Sequence, residues 1–208
     1  MTMYLGFDVL ELNYNRVGRI EEHVRRKFVL LDCKTGVRQA DEQSPAPNPS
    51  RPFTWLALGR AEIAAMREFL DNRKGRAVPF WLPSFQWDLS LASDVAVFSP
   101  TAQISWARYT SQMFGTTGAR RHLALWELRI PSFECYEVIA ASDPGDGLTE
   151  SLTLSPVAAR DYQADRSVIS FLKLCRLERD EIEIRYPSGN VAEATIEIRE
   201  LPMEAPIS

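Results

Sequence analysis

Between residues 51 and 91 the chain reads RPFTWLALGRAEIAAMREFLDNRKGRAVPFWLPSFQWDLSL, and this stretch constrains the fold more than any other. It reads as strand, helix, strand. Phe53, Thr54, Trp55 and Leu56 are aromatic, β-branched or aliphatic, with Pro52 before them and Gly59 after. From Gly59 to Arg73 the pattern is helical. Ile63, Met66 and Leu70 fall on one face with Phe69 beside them, and Glu62, Arg67, Glu68 and Asp71 point away. Ala61, Ala64 and Ala65 are strong helix formers. Arg73 and Lys74 sit where the helix dipole favours cations, and Gly75 is placed as the left-handed residue past the end. The chain then re-extends through Val78, Phe80, Trp81 and Leu82. Pro79 and Pro83 cannot donate to a ladder, which predicts an edge strand or an irregular extended run. Trp55, Trp81 and Trp87 all lie here, so with Phe80 and Phe85 the stretch is either a dense part of the core or a buried contact surface.

At 208 residues the chain makes one large domain or two small ones and can bury a core without staples. A net charge of -4 argues against non-specific nucleic-acid binding, which relies on a basic field. Cys33, Cys135 and Cys175 are far apart and odd in number, with no CxxC pair, so the expectation is three reduced thiols rather than a metal site or a disulfide. The opening residues have no basic n-region, and no apolar run approaches the ~20 residues of a membrane helix. These features lead us to expect a chain made in the cytosol, with no membrane partner.

Along the rest of the chain, strand patterns dominate. Residues 4–14 suggest an opening strand or two, residues 16–27 are charged and either loop or strand, and residues 27–33 (KFVLLDC) form a strand closed by the turn Lys34-Thr35-Gly36. Residues 43–52 are proline-rich and read as an irregular loop. Beyond Leu91, residues 94–98, 103–109, 121–128, 133–141 and 148–154 read as short strands, and 156–165 as either a short helix or a loop. Asp143-Pro144-Gly145-Asp146-Gly147 is the strongest turn signal. Residues 168–177, 181–186 and 191–201 are the most regular strands. In Glu181-Ile182-Glu183-Ile184-Arg185 the isoleucines face inward, the one-sided burial of an antiparallel sheet. About a dozen strands and one helix predict a mainly β, antiparallel architecture.

The chain is poor in catalytic signatures. His23 and His122 have no cysteine or carboxylate at ligand spacing. GxSxG, P-loop, GxGxxG and HExxH motifs are absent. Gly115-Thr116-Thr117-Gly118 lacks the lysine and helix of a phosphate loop and reads as a turn. Asp143, Asp146 and Glu150 cluster in one loop, yet without EF-hand spacing.

Three segments together resemble a known family: residues 28–39 (FVLLDCKTGVRQ); the organising stretch with Asn72-Arg73-Lys74-Gly75-Arg76 and VPFWLP after it; and the closing Ser170-Phe171-Leu172, RDEIEI and Glu200-Leu201-Pro202. In this order and spacing the chain resembles minor tail proteins of long-tailed bacteriophages and prophages, of the distal tail or tail-tip ring group. The resemblance implies an antiparallel β-sandwich or β-barrel of the tail-tube type with one packed helix at about 59–74. Residues 1–92 and 166–208 would form that domain, and 93–165 an inserted small β domain. It implies a homomeric ring, usually sixfold, at the virion tail tip, assembled in the host cytoplasm. The partners it implies are the tail tube protein, the tail-tip hub protein and the tape measure protein, with DNA only in transit. It brings no enzymatic activity, cofactor or metal. Trp55, Phe80, Trp81, Phe85 and Trp87 would then be core or interface aromatics. Two rival readings use the same residues. A carbohydrate-active β-sandwich would pair Asp88 with a carboxylate of the 143–150 loop around Trp81 and Trp87. A carbohydrate-binding module would use the tryptophans alone.

Overall fold

A computed structural model describes residues 2–10, 23–25, 28–32, 38–42, 48–114, 120–128 and 134–201. Cys33, the turn at 34–36, the Gly115–Gly118 loop and most of the charged 16–27 segment lie outside the described residues. In chain order the elements are β1 (Met3–Tyr4), β2 (Phe7–Asp8), β3 (His23–Arg25), β4 (Phe28–Asp32), β5 (Arg38–Glu42) and β6 (Asn48–Leu58). The helix α1 (Arg60–Arg73) and β7 (Phe80–Pro83) follow. Next come β8 (Thr101–Ser105), a π-helical turn at Tyr109–Phe114, β9 (His122–Glu127), β10 (Glu134–Ser142) and β11 (Thr149–Ser155). The chain closes with β12 (Ser167–Leu177), β13 (Ile184–Ser188) and β14 (Val191–Glu200). The fold is mainly β with antiparallel ladders, as the periodicity predicts, and the sheets stay open rather than closing into a barrel.

The chain divides into two compact units. One gathers residues 2–10 and 80–174, the other residues 23–79 and 175–201. The chain thus passes between units after the opening residues, at 79/80 and at 174/175, where the sequence expectation has 1–92 and 166–208 in one domain and 93–165 in the other. The strand at 28–32 and the closing hairpin do share one unit.

In the helix-bearing unit, β14 is paired along its length with β6, from Val191 opposite Leu58 to Arg199 opposite Ser50. β14 buries alternate residues, Ala192, Ala194, Ile196 and Ile198, so one face is core and the other is wet. β6 absorbs residues 48–52, which the proline content had suggested as loop. Beyond Ser50 its second edge carries no strand among the described residues, the setting in which a proline such as Pro52 is tolerated. The last residues of β12, from Cys175, pair with the end of β14, and β13 pairs with its start.

α1 lies against β6 and β14. Its N-cap is Gly59 at φ 87°, and Glu62 reaches back to accept a bond from the Leu58 amide at 2.8 Å. The buried line is Met66, Phe69 and Arg73 rather than Ile63, Met66 and Leu70; Ile63 and Leu70 are half-buried. Phe69 meets Trp55 edge to face at 5.7 Å between centroids. Arg73, at the end of the helix where the dipole favours a cation, lies buried. Its guanidinium sits 4.9 Å above the Phe69 ring and donates to the Pro79 carbonyl at 2.9 Å. Two left-handed residues end the helix, Lys74 at φ 49° and Gly75 at φ 65°. A Cβ at Gly75 would meet the Asp180 carboxylate oxygen at 2.5 Å and force it to shift, and the left-handed backbone would strain any other residue there. That carboxylate accepts from the Arg76 amide and guanidinium.

In the other unit the strand order is β12-β9-β10-β11-β8, with β7 also paired to β12. β12 is buried on both faces and carries most of the apolar run predicted for it. The core joins Leu123 and Leu125 of β9, Tyr136 and Val138 of β10, Leu152 and Leu154 of β11, and Ile169 and Phe171 of β12. Two readings change here. Residues 94–98 are not a strand: a bridge from Val95 to Tyr162 and hydrogen bonds of Asp94, Val97 and Phe98 with Ala164, Asp161 and Ala158 hold them against the irregular segment after β11. The strand expected at 103–109 ends at Ser105, because the following backbone bends around a buried carboxylate. Glu150 accepts from the amides of Ala107 at 3.1 Å, Tyr109 at 2.9 Å and Thr110 at 3.0 Å. Burial pushes its carboxyl up, but these three N–H bonds outweigh it and hold the group below its ordinary 4.5.

Two outcomes are expected. Met66→Ala costs ~2–5 kcal/mol in denaturant unfolding and Ile63→Ala distinctly less. Because Glu150 is held low, its contribution is complete above about pH 4.5 and drains as the pH falls through its folded value. Glu150→Gln therefore lowers stability at pH 7 by about 1–3 kcal/mol and flattens this acid limb, read from unfolding curves at several pH values.

Candidate functional site

The five aromatics singled out from the sequence do not form one surface. Trp55 is buried in the helix-bearing unit, and Phe80 and Trp81 are buried in the other. Phe85 is half-buried with φ 54°, and Trp87 is exposed. Trp81 is the anchor of the opening hairpin. β1 and β2 join through Leu5 and Gly6, both at positive φ, as a two-residue primed turn requires. The Trp81 indole donates to the Tyr4 carbonyl at 2.8 Å, and its own carbonyl accepts from the Leu10 amide at 2.9 Å. Its ring also packs 4.8 Å from His122, which shares a 2.9 Å hydrogen bond with the Tyr4 hydroxyl. His122, for which a surface or half-buried place is expected, is buried in this aromatic cage. Burial, opposed by Glu137 and aided by Arg121, holds its imidazole below 6.5.

With Trp81 inside, it does not join Trp87 in an exposed stacking platform. The carboxylates offered for acid–base chemistry are each engaged. Asp88 bonds the Ser84 hydroxyl and accepts from the Phe171 amide at 2.8 Å. Asp143 accepts from Gly145, and Asp146 from Leu148 and Thr149, closing the predicted turn. Glu150 is turned away from both, toward residues 107–110. Among the described residues no group of three or more potential metal ligands gathers. Cys135 is half-buried and Cys175 buried, both as thiols.

The sequence reading missed a different constellation. Around the π-helical turn, three exposed arginines each lie over an aromatic ring. Arg108 is 5.1 Å from Trp106, Arg120 is 5.6 Å from Phe171, and Arg121 is 4.9 Å from Phe114. Tyr109 ties them together. It stacks on Phe171 at 6.2 Å, lies 6.1 Å from Phe114, and donates its hydroxyl to the Arg120 carbonyl at 2.9 Å. Trp106 is partly exposed, and beside it, joined by a backbone bond, stands the exposed Leu148. Among the described residues none of these arginines has a carboxylate partner. Ring faces hold the guanidinium planes while leaving N–H edges for an anion. The sequence carries only a weak cue to this, because Arg108, Arg120 and Arg121 are spread over the segment and are linked only through the rings around Tyr109, whose backbone Glu150 bends.

Among the described residues no helix is long and apolar enough to cross a membrane. No protein-family model and no curated protein matches the chain.

The cage at His122 makes a prediction with a definite sign. A neutral imidazole favoured by folding contributes stability that is complete above pH 6.5 and is lost as the pH falls toward the folded value. Stability should therefore begin to fall below about pH 6.5, and His122→Phe should remove this first step while leaving the lower one set by Glu150. Thermal melts between pH 4 and 8 read both.

Proposed function

We propose that this chain is a structural component of a bacteriophage tail tip, a distal or minor tail protein. In this reading it forms a ring, sixfold, that joins the tail tube to the tail-tip hub and lets DNA pass. The observation that carries this reading is the contrast between engaged and unengaged groups. The carboxylates and the histidine that chemistry would need are tied into turns, a backbone bend and an aromatic cage. The groups left open are aromatic and guanidinium side chains, which anchor contacts between proteins. A mainly antiparallel β fold with one helix on a sheet agrees with what the family resemblance implies. Ring assembly would also cover open strand edges, such as the outer side of β13, with neighbouring subunits. The lumen is expected to be acidic or neutral, since a basic wall would hold phosphates and stall passage.

The test is a symmetric reconstruction of the tail tip from the particle whose genome encodes the chain. The expected result is a closed ring of this protein with lateral contacts each burying more than ~1,000 Å². Absence from the particle, or isolated copies without lateral contacts, overturns the reading.

A further inference from the structure

We infer that the stacked arginines at the π-helical turn dock on the glutamate-lined groove beside β14 of a second copy, in a head-to-tail contact. This deepens the ring reading and rests on it. The donor side is already described: Arg108, Arg120 and Arg121, exposed, held over rings, and without carboxylate partners among the described residues. An arginine whose plane is fixed by stacking loses less freedom on pairing than one free in water, and its remaining N–H fork matches a carboxylate.

The acceptor side lies in the helix-bearing unit. A groove of about 490 Å³ runs between residues 179–185 and β14. It carries Glu181, Glu183, Glu193 and Glu197 against only Arg179 and Arg185. Both arginines are already taken. Arg179 pairs with Glu197 at 3.0 Å, and Arg185 with Glu183 at 3.0 Å. Glu181 and Glu193 are left as a surplus of negative charge among the groove's lining residues. Patch and groove thus complement one another in sign, one with three cations that have no carboxylate partner among the described residues, the other with two surplus anions.

A nucleic-acid phosphate is the less favoured occupant. Three arginines are a short track, and a chain of net charge -4 opposes the approach of a polyanion. A carboxylate pair on another copy needs no extended basic field. Because patch and groove are different surfaces, the contact is heterologous, the type of interface that generates rings when its rotation closes.

The experiment is a charge exchange in the full-length chain. One variant carries Arg108→Glu, Arg120→Glu and Arg121→Glu; the other carries Glu181→Arg and Glu193→Arg. Self-association of wild type and of each variant is measured by sedimentation from micromolar concentration up to the solubility limit. Each variant alone should lose association by at least about tenfold. Mixing the two should restore it, since each reversed surface then finds its new complement, and misfolding cannot produce that rescue. Association that persists in both single variants, or a mixture without rescue, overturns the contact. So does a wild type that stays monomeric throughout. The ring reading itself stands or falls separately, in the particle. A labelled DNA oligonucleotide bound by wild type and lost in the arginine variant, with self-association unchanged, overturns the contact and reassigns the patch to phosphates.

Discussion

The ladder between β6 and β14 is the constraint on which the helix-bearing unit depends. Its inward residues, Trp55 and Ala57 on one strand and Ala192, Ala194, Ile196 and Ile198 on the other, form the surface that α1 covers. The small residues among them let the helix approach, and Trp55 and Phe69 fill the space between. A slip of one residue in this register would turn every buried side chain of β14 outward. The partners of β14 at its two ends, β13 and the end of β12, inherit their positions from the same register.

The other unit is organised by polar groups set inside an apolar core. Glu150 gathers three amides and so ends the regular backbone after β8. Trp81 and His122 do the same for the opening hairpin, with a carbonyl, a hydroxyl and two rings. Tyr136 and Tyr162, 3.0 Å apart through their hydroxyls, fasten the irregular segment after β11, with the Ala159 amide donating to Tyr136 at 3.2 Å. At Glu150 a strand pattern in the sequence gives way to a bend because a buried acceptor has to be satisfied, and in the other two cases buried polar groups fix a hairpin and an irregular segment in place.

This distinction separates what was legible from what was not. The helix, β12, β14 and the antiparallel class follow from periodicity and turn residues, which are local, whereas the strand expected at 181–186 begins only at Ile184 and runs on to Ser188. The face of α1 was misread by about one position because Arg73 counted as polar. In the structure its stem and guanidinium are buried on Phe69 and closed by a carbonyl, a role that depends on Pro79. Residues 48–52 counted as loop because prolines were weighed without their edge, which only the pairing partner reveals. The aromatics of 51–91 looked like one cluster because they are near in sequence, yet Trp55 and Trp81 belong to different units. The stacked arginines were invisible for the opposite reason. They are separated in sequence, and their signal is a ring beneath each guanidinium with no carboxylate beside it among the described residues, which no pattern of residues records.

Gly75 and Asp180 carry a consequence for how this chain can change over time. The space that any side chain at position 75 would need is filled by the carboxylate that holds Arg76 in place. Loss of Asp180 alone frees this space and costs only the bonds to Arg76, whereas a side chain at position 75 has to displace that carboxylate and bear the left-handed backbone. Change at the two sites, more than a hundred residues apart, is therefore ordered: position 180 is the freer to vary, and position 75 the slower to follow.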